Sequence, residues 1–158
     1  MSLLPLFVWL SRTPTGVFMQ SSTWGFAVVE MVHLLGLALL GGSVLVIDLS
    51  LLGFGLRGVK KSQVVRGLTP VFRLSLVVML VTGVLLLSEE ALKCYYSPAF
   101  RLKILALALA VPLSWALHRQ ALRNGGTDDA TSKVKLAAAV SLALWLCVGV
   151  AGRAIGFI

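Results

Sequence analysis

Glu30, His33 and Asp48 are three ionisable residues inside one long apolar stretch. A charge at the centre of a membrane helix costs about 2.5–3.5 kcal/mol on insertion scales, so each needs a chemical reason to be there. Glu30 and Asp48 are eighteen residues apart, which is close to five turns at about 3.6 residues per turn. His33 stands three residues after Glu30 on a neighbouring line, and Gly41 falls on the same stripe. Glu30 can hold the His33 ring in one tautomer for metal ligation or proton transfer. In the alternative pairing, Glu30 faces Arg153 and His33 donates to a backbone carbonyl. Asp48 has a candidate ion-pair partner in Arg73.

His33 is the candidate metal ligand. Histidine–methionine ligation of a haem is open through Met79. His118 lies near the far end of its own helix. His33 stands roughly 16 Å into its helix and His118 roughly 30 Å, counted from the same surface. That difference in depth argues against one haem between them and makes His118 an interfacial residue. Arg101 and Lys103 either extend their charged ends to the surface or hold an anionic group such as a propionate or a quinone oxygen.

These residues need helices to position them. The chain has 158 residues, 58% hydrophobic and 13% charged, with a mean hydropathy of +0.96. A soluble domain carries about 25% charged residues. Four apolar stretches approach or exceed the ~20 residues that span a bilayer. The expected fold is all-α: one integral membrane four-helix bundle in a single domain over 1–158. Its helices are expected at about 22–52, 69–88, 98–122 and 132–157, with a short interfacial segment at 3–10. Thr13-Pro14-Thr15-Gly16 breaks that segment. Thr69-Pro70 and Ser97-Pro98 read as a cap followed by a first-turn proline. Pro112 is expected to kink its helix, with Ser114 helping to satisfy the freed backbone. Gly36, Gly41, Gly42 and the Gly152/Gly156 pair suit close helix packing.

The net charge of +8 fits cytoplasmic loops better than nucleic-acid binding, since no basic helix lies outside the apolar segments. Arg57, Lys60, Lys61, Arg66, Arg73, Arg119, Arg123, Lys133 and Lys135 fall on one side. Arg12, Lys93, Arg101, Lys103 and Arg153 fall on the other, offset by Glu89 and Glu90. Both termini are therefore expected outside. Met1 to Leu10 lack a basic start and a cleavage pattern. Cys94 and Cys147 form no spaced motif, and no disulfide or metal site is expected from them. No nucleophile-plus-base set, phosphate loop or zinc spacing appears, which counts against a hydrolase, a kinase or a zinc enzyme.

Glu30-x-x-His33-Leu34-Leu35-Gly36 and Asp48-Leu49-x-Leu51-Leu52-Gly53 resemble a bacterial membrane family that carries only an unknown-function label. Thr82-Gly83, Ser97-Pro98-Ala99-Phe100-x-x-Lys103 and Gly152-Arg153 fit the same resemblance. It implies a four-helix inner-membrane fold and no activity. The order of His33, Pro70, Thr82-Gly83, Lys103 and His118 is more loosely similar to HemJ-type protoporphyrinogen oxidases and to CopD-type copper-resistance proteins. The HemJ-type resemblance implies haem b and carries functional roles to His33 and Lys103, while CopD-type proteins share only the layout. The chain departs from HemJ in lacking an Asn-Glu-x-Pro element before its last helix, and in carrying Asp48.

The expected function is a small haem-b-type redox or electron-transfer protein of the bacterial inner membrane. His33 is its ligand, Glu30 the group behind the ligand, and Lys103 or Arg101 the propionate contacts. One alternative is a non-catalytic accessory subunit of a larger complex. A second is a CopD-like metal-handling protein, although no Met-x-Met or His-x-His cluster marks a copper path. The bilayer is the expected surrounding, and a homodimer is open because a two-fold axis along the membrane normal places two His33 side chains at equal depth. The charge bias predicts that a cysteine placed at Ser62 is labelled from the cytoplasmic side only. Labelling from the periplasmic side would reverse the topology.

Overall fold

The computed structural model describes residues 4–54, 58–123 and 132–155. Arg57, Gly156 and residues 124–129 of the last turn lie outside them. All described elements are helices: α1 (Leu4–Ser11), α2 (Pro14–Ser21), α3 (Thr23–Leu52), α4 (Lys61–Glu89), α5 (Ala91–Tyr96), α6 (Pro98–Arg123) and α7 (Ser132–Ala154). The chain is all-α, and α3, α4, α6 and α7 are long and apolar enough to cross a membrane.

Local chemistry sets the helix ends. The Ser22 hydroxyl accepts from the Gly25 N–H to start α3. Gly53 stops α3 at a φ of 107°, in the left-handed region that suits glycine, while the Phe54 N–H closes back onto Leu49. The Ser97 hydroxyl accepts from the Phe100 N–H, and Pro98 takes the first position of α6.

The structure adds two short helices and corrects one boundary. The chain breaks after α1 as expected, but a second helix follows at once: the Thr13 hydroxyl caps α2, and Pro14 opens it. The polar loop after Glu89 contains the short helix α5. The second long helix begins at Lys61 rather than at Thr69-Pro70. Val65, Thr69 and Phe72 are all buried on one face of α4, so apolar periodicity runs straight through the proline. Pro70 lies on the exposed face, and the Thr69 hydroxyl donates to the Val65 carbonyl at 2.6 Å instead of capping.

α3 packs on α4 and α7, and α6 packs on α7 and α4, which leaves α3 and α6 diagonal in the bundle. Ile47, Leu51, Val65, Leu117 and Ala138 form one core cluster; Leu40, Val44 and Phe72 form another. Both lie from mid-bundle toward the end where α3 finishes. At the opposite end α1, α2 and α5 gather. The Phe7 ring meets Tyr95 and Phe100 edge-on at 5.4 and 6.0 Å. The Gln20 amide reaches from α2 to the Ser88 and Glu89 carbonyls at 3.5 and 3.4 Å.

Lipid tails are as apolar as leucine, so close packing rather than the hydrophobic effect joins such helices. The glycines divide sharply on this point. A Cβ at Gly36 would meet Val78 at 3.3 Å and Met79 at 3.4 Å, whereas Gly41 and Gly42 have nothing within 4 Å. Gly36 is therefore the glycine that lets α3 and α4 approach. Gly36→Leu is expected to lower stability by about 1–3 kcal/mol in a denaturant titration. The same change at Gly41 should leave stability nearly unchanged.

Candidate functional site

The polar residues of α3 divide between two sites. Glu30 and His33 belong to a cavity of about 240 Å³ at the end of the bundle where α3 begins. Met79 and Gly83 of α4, Lys103 of α6, and Gly152 and Arg153 of α7 also line it. Four helices that run alternately up and down bring these distant sequence positions to one level.

His33 is held differently from expectation. Its Nδ1 lies 2.7 Å from the Thr82 Oγ1, and no hydrogen bond joins it to Glu30. A hydroxyl has one proton to give, and Thr82 donates that proton to the Val78 carbonyl at 2.6 Å. Thr82 must therefore accept from His33, which assigns the proton to Nδ1 and leaves the Nε2 lone pair unprotonated. Beside this bond, a Cβ at Gly83 would stand 3.5 Å from the His33 Cε1. Thr82 fixes the ring and Gly83 gives it space. Glu30 at three residues' separation could reach the ring, but Thr82 faces His33 from the adjacent helix and takes the Nδ1 contact.

Lys103 and Met79 are seated in the same way. The Lys103 Nζ lies 3.3 Å from where a Cβ would stand at Gly152, and the Met79 Sδ 3.4 Å from the corresponding point at Gly36. No carboxylate among the described residues is within ion-pair distance of Lys103. Glu30, Glu89 and Glu90 all contribute to the lining. Arg101 does not: it is exposed, and its guanidinium donates to the Tyr95 carbonyl at 3.4 Å. Cys94 does line the cavity. Burial pushes its thiol pKa up and the Glu90 carboxylate adds to that, so Cys94 is a neutral thiol and a poor ligand or nucleophile. Both cysteines are free.

The Asp48–Arg73 ion pair is not formed. Arg73 follows the buried Phe72 by one residue and so points away from the bundle, its guanidinium lying 4.7 Å over the Trp115 ring. The hydrogen-bonding group beside Asp48 is the Ser141 hydroxyl. Ser114 does not repair the backbone at Pro112; it lies 3.3 Å from Ser141 and accepts from the Trp145 indole at 2.8 Å. His118 is buried inside the bundle rather than exposed at the end of its helix. It is 4% exposed and meets Phe72 edge-on at 4.8 Å. It belongs to the face of α6 that also buries Ala110 and Ser114, and it does not line the cavity.

Among the described residues, no three of His, Cys, Asp and Glu gather to hold a metal ion between them. His33 thus offers a single nitrogen donor, which suits a group that brings its other ligands with it. Thr82, Gly83, Gly152 and Glu89 were not assigned roles from residue chemistry. Their only sequence signal was that Thr82-Gly83 and Gly152-Arg153 fitted the resemblance.

Thr82→Val removes the acceptor for the His33 Nδ1–H. It is expected to change the ¹⁵N signature of the His33 ring and to cost about 1–3 kcal/mol. Thr82→Ser should preserve both; a ring signature indifferent to Val would refute the tautomer assignment. No curated protein and no solved structure matches this chain. Residues 6–158 match the model of a family of unknown function, DUF6644, and the chain belongs to that family.

Proposed function

We propose that this membrane protein is a small redox or electron-transfer protein whose cavity binds its redox group through His33. One observation carries the reading: the Thr82 bond leaves the His33 Nε2 lone pair available in a cavity that Lys103 and Arg153 also line. An imidazole whose other nitrogen donates to a fixed partner is a well-oriented and more basic ligand.

The donor set fits haem b in kind. His33 supplies an axial nitrogen, Met79 a thioether on the same cavity, and Lys103 and Arg153 the cations that propionates need. The iron, when bound, would supply one-electron chemistry; the protein contributes ligation, charge and exclusion of water. The order of His33, Thr82-Gly83 and Lys103, which we read as resembling that of HemJ-type proteins, favours the same group. Size supports a second reading. Pockets for drug-sized ligands run to about 300–1,000 Å³, and 240 Å³ suits the single ring of a quinone better than a macrocycle. His33 Nε2 would then accept from a quinol hydroxyl, and Lys103 would donate to an oxygen. Placement in a bacterial inner membrane with both termini periplasmic belongs to this reading and is supported by the distribution of Lys and Arg.

Full-length protein purified from a haem-replete host is expected to show a Soret band that His33→Ala abolishes. Met79→Ala should shift the spectrum, and His118→Ala should leave most of the band intact. A colourless protein that carries an extractable quinone, lost in His33→Ala, selects the second reading. Absence of both overturns the redox assignment and leaves an accessory subunit of a larger membrane complex.

A further inference from the structure

A second polar site lies beyond the cavity and shares no residue with it. Asp48 is 1% exposed, shielded by the protein itself, and its Oδ2 has no hydrogen-bond partner. A pair of hydroxyls connects it to an indole. The Trp145 indole N–H donates to Ser114. The Ser114 and Ser141 hydroxyls stand 3.3 Å apart, and a Ser141 that gives its one proton to Asp48 leaves its oxygen to accept from Ser114. This chain crosses α7, α6 and α7 again and ends on α3, spanning the bundle's diagonal. It delivers one donor to a group with about four lone-pair sites.

Among the described residues no ion pair to Asp48 is formed. On α4 Arg66 is exposed, and Arg73 lies over Trp115 at the bundle surface. On α6 the titratable group is His118, one turn beyond Ser114, 4% exposed and with its Nδ1 also unpartnered. On α7 the facing groups are Ser141 and Trp145, which carry no charge. A carboxylate buried with one hydroxyl donor and no cation is the arrangement that buried charges avoid. Oxygen donors of this kind hold hard cations.

We infer that Asp48, with Ser141 and Ser114, is a buried binding site for a small monovalent cation, a proton or a sodium ion. The site lies in the half of the bundle opposite the His33 cavity. Trp145, at the far end of the hydroxyl chain, is its built-in reporter, because a change at Asp48 is relayed to the indole through two hydroxyls.

The test uses the full-length protein in lipid nanodiscs. If the cation is a proton, infrared spectra in sodium-free neutral buffer show a carboxylic-acid carbonyl band that Asp48→Asn removes. Adding sodium should leave that band in place. If the cation is sodium, sodium chloride raises the unfolding temperature saturably where choline chloride does not, and Asp48→Asn abolishes the rise. Should Asp48→Asn fail to fold, Ser141→Ala keeps the carboxyl and removes its donor. It should move the acid band, or weaken the sodium response severalfold, and in either case alter Trp145 emission. An ionised carboxylate with no acid band, together with identical behaviour in sodium and choline, would overturn the site.

Discussion

A polar side chain on a helix whose other faces are leucine and valine has to be satisfied by a neighbouring helix. Much of this bundle follows from that requirement. His33 on α3 is satisfied by Thr82 on α4. Asp48 on α3 has Ser141 of α7 beside it, and Ser141 contacts Ser114 on α6. His33 and Asp48 thus each specify a neighbour, and together they help fix the register of α3 against α4 and α7. The apolar clusters around Ile47 and Leu40 fill the space between these polar ties. Where lipid competes equally well for apolar surface, polar ties and close packing supply the specificity.

Glycine supplies the complementary half of the design. Gly36, Gly83 and Gly152 lie beside Met79, His33 and Lys103 respectively, with a Cβ contact that would be tight at Gly36 and Gly152 and ordinary at Gly83. His33, Met79 and Lys103 therefore each rest against a position that has no side chain. Gly41 and Gly42 face open space and do no such packing. The distinction lies in which neighbour stands opposite, which composition cannot express.

The two polar sites occupy opposite halves of the bundle and differ in character. The cavity is walled by several elements and gathers acidic and basic side chains around one imidazole. The Asp48 layer is closed, built of hydroxyls and aromatic rings, and ends on a single carboxyl. α3, α6 and α7 each contribute residues to both sites, and α3 carries the ionisable group central to each.

Sequence alone determined the all-α character with four helices apolar enough to span a membrane, the positions of three of those helices, and Glu30, His33, Met79 and Lys103 as separate candidates; the packing brings these four to one cavity. Apolar run length, cap residues and helical periodicity are local quantities, and they carry that information. Tertiary structure decided the partners. Glu30 stood three residues from His33, yet Thr82 holds the ring. Arg73 looked like the counter-charge for Asp48, yet one step of 100° past Phe72 turns it outward. Arg101 faces away from the cavity while Lys103, two residues on, enters it. Pro70 read as a helix start, yet the apolar face of α4 continues through it from Val65 to Phe72. Each of these outcomes depends on which helix stands opposite and at what height, and that is a property of packing between segments far apart in the chain.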